Sequence, residues 1–195
     1  MVNENPNPET QKFAEGTTDP SKAHALLHSW TLWYDSGAPA NNASWGDNIK
    51  KVFTVSSVED FWRLYNNVSL PSQLQTGTTY NFFKQGIEPK WEDPNNDQGG
   101  RWTIIVPKTK GLIDRLWLWL VLACVGEQLE DDQNQICGAV VNVRKNQDKI
   151  SLWTKDAENE EAGLKIGKNI KKLLELSEAV CYQGHSNTRV NKYTV

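Results

Sequence analysis

No apolar run in this chain is long enough to cross a bilayer. The longest, Leu116 to Val125, has ten residues, where a spanning helix needs about 20. No basic start followed by an apolar stretch appears near Met1, so no secretory signal is expected. Cysteine is scarce. Cys124, Cys137 and Cys181 are odd in number and widely spaced, which argues against a disulfide framework and a paired-cysteine zinc site. His24, His28 and His185 complete no metal-ligand set with them. Such thiols suit the reducing cytosol or nucleus. A basic excess is also missing: 21 Lys and Arg stand against 24 Asp and Glu, a net charge of -3 and a pI near 5.7. Proteins that grip nucleic acid mainly through phosphates are usually basic, so any nucleic acid here must be held locally. Neither a glycine-rich phosphate loop nor a nucleophile elbow is present.

What the chain does have is tryptophan. Nine of its 19 aromatic residues are Trp, against five Tyr and five Phe. The rest is ordinary: 195 residues, 38% hydrophobic and 23% charged, enough for one core. Residues 1–23 are rich in Asn, Pro, Glu and Thr without periodicity and read as a disordered tail. A single domain is expected over 24–195. β-branched and aromatic runs, separated by Gly, Asn, Asp and Pro, predict strands at 28–34, 49–55, 79–84, 101–106, 136–145, 149–155, 179–185 and 190–195. Three helices interrupt them. The first covers 57–66, with Val58, Phe61, Trp62 and Tyr65 at i, i+3, i+4 and i+7 and Ser56 with Glu59 placed as a capping box. The others cover 113–129 and 158–176. This order predicts an α+β domain: a largely antiparallel sheet with helices on one face and a ligand on the other.

Several tryptophans have plain positions. Trp30, Trp33 and Trp102 lie in strands, where core packing explains them. Trp45 sits in a polar loop with no apolar neighbour at strand or helix spacing. Trp91 is fenced by Pro89 and Pro94. Trp153 shares the polar side of its strand with Lys149 and Ser151, while Ile150 and Leu152 point the other way. Loop indoles commonly fold back over the end of a core; three together suggest a stacking site for a flat or cationic ligand. Arg144 and Lys149 flank the turn before Trp153 and are expected opposite each other, either as a solvated tip or as a pair of phosphate-holding cations. Glu92 is either a surface acid or an acceptor for a donor-rich base edge.

In order and spacing, these residues resemble the mRNA cap-binding translation initiation factor 4E family, from about His24 to Val195. The matching stretches are Trp30-Thr31-Leu32-Trp33, Val58-Glu59-Asp60-Phe61-Trp62, Gly86-Ile87-Glu88-Pro89-Lys90-Trp91-Glu92-Asp93 and Gly99-Gly100-Arg101-Trp102. Two more run from Cys137 to Arg144 and from Asp148 to Thr154. The resemblance implies a curved, mostly antiparallel sheet of about eight strands, three helices on its convex face and the cap on its concave face. Trp45 and Trp91 would sandwich 7-methylguanine, Glu92 would meet its N–H donors, and Trp153 would touch the methyl group. Arg101, Arg144 and Lys149 would hold the phosphates. His24, Val58, Trp62, Leu118, Trp119 and Leu122 would form the partner surface. The implied partners are capped mRNA, the scaffold subunit of the initiation complex, and repressors that compete through an amphipathic helix; no cofactor, membrane or catalysis is implied. Trp119 departs from the pattern, standing where many relatives carry Glu, and predicts apolar contact rather than charge pairing. The loop at 186–191 is short and lacks the extra Ser and Lys of the animal factors. Rival readings are a nucleotide hydrolase, a carbohydrate-binding module, and a family relative that represses through another partner. The acid run from Glu158 to Glu161 fits the negative first turn of the third helix better than a metal site.

Overall fold

The computed structural model describes residues 23–37, 48–129 and 133–195. The expected tail before residue 23 and the loop carrying Trp45 lie outside them. In chain order the strands are β1 (Ala25–Asp35), β2 (Ile49–Ser57), β3 (Thr79–Lys84), β4 (Gly100–Pro107), β5 (Ile136–Asn142), β6 (Gln147–Thr154), β7 (Cys181–Gly184) and β8 (Tyr193–Thr194). Helix α1 (Val58–Tyr65) follows β2, α2 (Leu112–Val125) follows β4, and α3 (Glu160–Leu173) follows β6. All eight strands join one antiparallel sheet in the order β2-β1-β3-β5-β6-β4-β7-β8. The predicted class and all eleven predicted elements are present, with ends shifted by a few residues. His24 and His28 are four apart, a spacing that pairs side chains on a helix; β1 is extended, so the spacing carries no such meaning.

Alternation decides the two sides of the sheet. In β4, Trp102, Ile104 and Val106 are buried, while Arg101, Thr103 and Ile105 lie between them on the other side. Their partners in β6 repeat the choice, since Trp102 pairs with Leu152 and Ile104 with Ile150. The inward rows meet α2 through Leu116, Trp117, Leu120 and Val121, and meet α3 through Ile166 and Ile170. This is the main core. A smaller cluster of Phe83, Cys137, Val140 and Trp153 lies apart from it.

The helix starts explain their boundaries. Ser57 rather than Ser56 caps α1, its Oγ accepting the Asp60 N–H at 3.1 Å. The expected capping box therefore does not form. Glu59 turns instead to His24, accepting its backbone N–H at 2.9 Å and facing its Nδ1 at 2.6 Å. These hydrogen bonds from His24 hold the Glu59 carboxyl down to about 2. Helix α3 starts at Asn159, whose side chain accepts the Ala162 N–H at 3.2 Å, and Glu160 and Glu161 occupy its first turn as expected.

Glycine sets the distance between α3 and the sheet. A methyl group at Gly167 would lie 2.3 Å from the Trp102 ring, which is wholly buried and has nowhere to move. At Gly163, one turn earlier, the nearest atom would be Tyr193 Cε2 at 3.6 Å, an ordinary contact. The two sites should therefore respond with opposite sign. Gly167→Ala should cost about 1–3 kcal/mol through overpacking. Gly163→Ala should gain up to about 1 kcal/mol from helix propensity. Urea unfolding of both variants checks this, and an equal response would show that the Trp102 contact does not set the packing.

Candidate functional site

The side of the sheet away from the main core carries a cleft with about 310 Å³ of water-accessible space, within reach of the roughly 300 Å³ at which small-ligand sites begin. Its floor is polar, from Thr79, Asn81, Thr103, Asn142 and Ser151. Each is the outward residue of an alternating strand. Trp91 stands on one wall; Arg101, Arg144, Lys149, Trp153 and His185 also line the cleft, as does Asp35. Five of the expected site residues thus meet in one place. A cavity behind the sheet holds only about 20 Å³, lined by groups such as Phe61, Tyr65 and Trp117. That is room for about one water.

Trp91 is held by a loop that spends its polar side chains on its own backbone. Asp93 accepts the Glu88 N–H at 2.9 Å with one oxygen and the Asn95 N–H at 2.8 Å with the other. Burial pushes the Asp93 carboxyl up, but these N–H bonds outweigh it and leave the group below its usual value. Asn96, fully buried, donates through Nδ2 to the carbonyls of Glu88 at 2.9 Å and Lys90 at 2.8 Å. The loop is therefore pinned on both sides of Trp91, whose indole keeps 49% of its surface exposed. An apolar ring of that size left half in water while its loop is pinned is what a stacking platform requires. Glu92 is also exposed and does not line the cleft.

The opposite end is cationic. Arg101 lies opposite Trp153 across β4 and β6. Lys149 pairs with Asn142, not with Arg144, which lies two residues further on in the turn. The expected facing pair is thus wrong in register, although both side chains reach the cleft. Asp148 explains the turn: buried, it accepts the Arg144 N–H at 2.9 Å and the Lys108 ammonium at 2.6 Å. The nearby acid is therefore occupied. Among the described residues, no carboxylate pairs with Arg101, Arg144 or Lys149. Burial, and the neighbouring Arg144, lower the Arg101 pKa; burial and then Arg144 and Arg101 lower that of Lys149. Three cations that destabilise one another are a ready place for an anion.

Trp153 is 8% exposed, more buried than its polar side of the strand suggested. Phe83 packs edge-on at 5.5 Å, and the His185 ring lies 4.2 Å from the indole. His185 is pushed down to about 4 by burial and by Arg101, so it is neutral near pH 7. Sequence reasoning missed His185, Asp93, Asn96 and Asp148 as site-building residues. For the last, the turn composition was the available signal; for the others there was none.

The helix side carries a second patch. Phe61 is buried, while Val58 and Trp62 on the same helix keep 41% and 38% of their surface exposed. Leu118, Trp119 and Leu122 are half-buried along the outward side of α2. His24 is tied to the start of α1: its carbonyl accepts the Val58 N–H at 2.9 Å, and its N–H and ring meet Glu59. Trp119 already has a cation over one face: the Arg115 guanidinium, 5.1 Å from the ring centre. One of the two faces of this indole is thus already in contact with a cation of the chain itself.

Comparison with known proteins follows this geometry. The family model described as Eukaryotic initiation factor 4E matches residues 25–194. Eukaryotic translation initiation factor 4E-1 of Prunus domestica is 46% identical over 196 residues, covering 93% of this chain and 83% of its own. Among solved structures, Ascaris suum eIF4E-3 with m7G cap is 42% identical with a TM-score of 0.83, covering 89% of this chain and 98% of that one. The complex of schistosome eIF4E with m7GpppG and 4E-BP is 34% identical with a TM-score of 0.83, covering 89% and 99%. A cleft with an exposed indole and with cations that no carboxylate pairs among the described residues, on a sheet of this topology and at this level of identity, places the chain in the eukaryotic initiation factor 4E family.

Proposed function

We propose that residues 24–195 bind the 7-methylguanosine cap of mRNA in the cleft and recruit an initiation scaffold, or a competing repressor, through the helix side. The observation that carries this reading is the pairing of a half-exposed Trp91 on a pinned loop with three cations that lack a carboxylate partner among the described residues. Complexes of the Ascaris protein with m7G cap and of the schistosome protein with m7GpppG and 4E-BP support it. The protein would act by binding alone, in the cytoplasm.

The chemistry suits the ligand. Methylation at the 7-position leaves a delocalised positive charge on guanine, so stacking on an indole gains a cation–π contribution of about 0.5–2 kcal/mol per face. Trp91 supplies one face, and Trp45, outside the described residues, the other. The Trp91 backbone N–H would meet the guanine carbonyl oxygen. Glu92 would accept from the ring N–H, made more acidic by methylation, and from the exocyclic amine. Solvent exposure of Glu92 is the expected condition of an acceptor whose donors arrive with the ligand. Trp153 would border the methyl group, braced by Phe83 and His185. Arg144 and Lys149, with Arg101 behind them, would hold the phosphates. Because the anion is met by local cations, an overall charge of -3 is no obstacle.

Three measurements test the assignment. Replacing Trp91 by Leu keeps bulk but removes most of the π face. Its titration by intrinsic fluorescence should show a large loss for 7-methyl-GTP and little for GTP, and Trp45→Leu should behave alike. Retention of the full methyl preference in either variant would remove that indole from the site. Glu92→Ala should cost about 1.5–3 kcal/mol, the value of a hydrogen bond to a charged group. Guanine should lose its advantage over adenine in competition, and an unaltered base preference would place the acceptor elsewhere. Removing the charge of Arg144 or Lys149 should weaken 7-methyl-GTP more than 7-methylguanosine and should flatten the salt dependence. Equal losses for nucleotide and nucleoside would rule out direct phosphate contact.

A further inference from the structure

Helix α2 turns Arg115, Leu118, Trp119 and Leu122 away from the core at i, i+3, i+4 and i+7. The charge on this stripe is a cation, and it is not a wholly solvated one. The Arg115 guanidinium lies 5.1 Å from the centre of the Trp119 ring, inside the roughly 6 Å range of a cation–π contact. That contact fixes where the charge sits without cancelling it. The acids of α1 and α2 are all engaged. Asp114 accepts the Ser72 N–H at 2.8 Å and its hydroxyl at 2.6 Å. Asp60 binds Arg63 at 2.7 Å, and Glu59 faces His24 at 2.6 Å. Arg115 has no carboxylate partner among the described residues.

We infer that the helix side selects an amphipathic partner helix that carries an acidic residue opposite Arg115, beside its apolar stripe over Val58, Trp62, Leu118 and Leu122. This selection rests on the proposal that the helix side recruits a partner, and it adds the partner's charge. A basic residue at the facing position would meet Arg115 with like charge and would find the near face of Trp119 covered. A carboxylate instead gains the pre-positioned guanidinium, with up to two parallel hydrogen bonds. The preference is the reverse of the one that a carboxylate at position 119 would impose. Because the pair lies at a rim, the discrimination is modest in affinity and sensitive to salt.

Calorimetry on the full chain tests this with one helix-forming amphipathic peptide made in three versions, whose flanking positions are Glu, Gln or Arg. The Glu peptide should bind about two- to fivefold more tightly than the Gln peptide, as for an exposed ion pair, and the Arg peptide more weakly than either. High salt should compress the differences. Arg115→Gln should abolish the preference and Arg115→Glu should reverse it; the residue is exposed, so both variants should fold. Trp62→Ala should abolish binding of all three peptides. If the peptides bind in a Trp62-dependent way but with equal affinity, or if Arg115→Glu leaves the order unchanged, the charge selection is wrong and the partner surface stands. If no version binds the wild-type chain, the partner surface itself is refuted, and the charge selection with it.

Discussion

The register between β4 and β6 is the constraint on which the rest of the molecule depends. Trp102 opposite Leu152 and Ile104 opposite Ile150 put four large apolar side chains on the helix side. The same pairing sets Arg101 opposite Trp153 and Thr103 opposite Ser151 on the cleft side. A slip of β4 by one residue would exchange its two rows, driving Arg101 and Thr103 into the core and Trp102 out of it. Burial of Trp102 against Gly167 therefore positions the cleft as surely as any contact within it. The core and the site are two sides of one ladder.

Electrostatic economy then shapes the cleft. The chain is acidic overall, yet two buried acids near the cleft are consumed in building it. Asp148 closes the turn that presents Arg144, and Asp93 closes the loop that presents Trp91. Both are buried, and both accept backbone N–H groups that would otherwise lack partners. Asp35, also in the lining, accepts the Gly37 N–H at 2.9 Å. The rest of the lining is mainly positive charge, indoles and polar strand residues. Such a surface has little for a neutral sugar or an apolar ligand. It suits a ligand with a flat cationic end and an anionic tail.

Tryptophan illustrates how one residue type is put to several uses. Trp30 and Trp102 are fully buried and fill the core. Trp153 is nearly buried, but on the opposite side of the sheet, where it borders the cleft. Trp91 and Trp62 remain exposed on opposite sides of the molecule, one on a pinned loop and one on a helix. Trp119 is half-covered and carries Arg115. Its indole therefore localises a charge on a surface where an exposed arginine would otherwise sample many rotamers.

Periodicity by itself determined the elements, because alternation and the 3.6-residue repeat report directly which side of a strand or helix is apolar. Period two separated Lys149, Ser151 and Trp153 from Ile150 and Leu152, and the helical repeat turned Phe61 inward. The polar settings of Trp91 and Trp45 marked them as unusual, and family motifs supplied their roles. Three features were decided only by tertiary structure. The choice of Ser57 over Ser56 as cap depended on where β2 ends. The offset of Arg144 from Lys149 depended on which carboxylate closes the turn. The placing of His185 against Trp153 joins β6 to the residue just after β7, two strands separated by β4 in the sheet. Each is a contact between segments distant in space or free to pair in more than one way. Local spacing constrains only neighbours along the chain, so such contacts become definite once the sheet order and register are set.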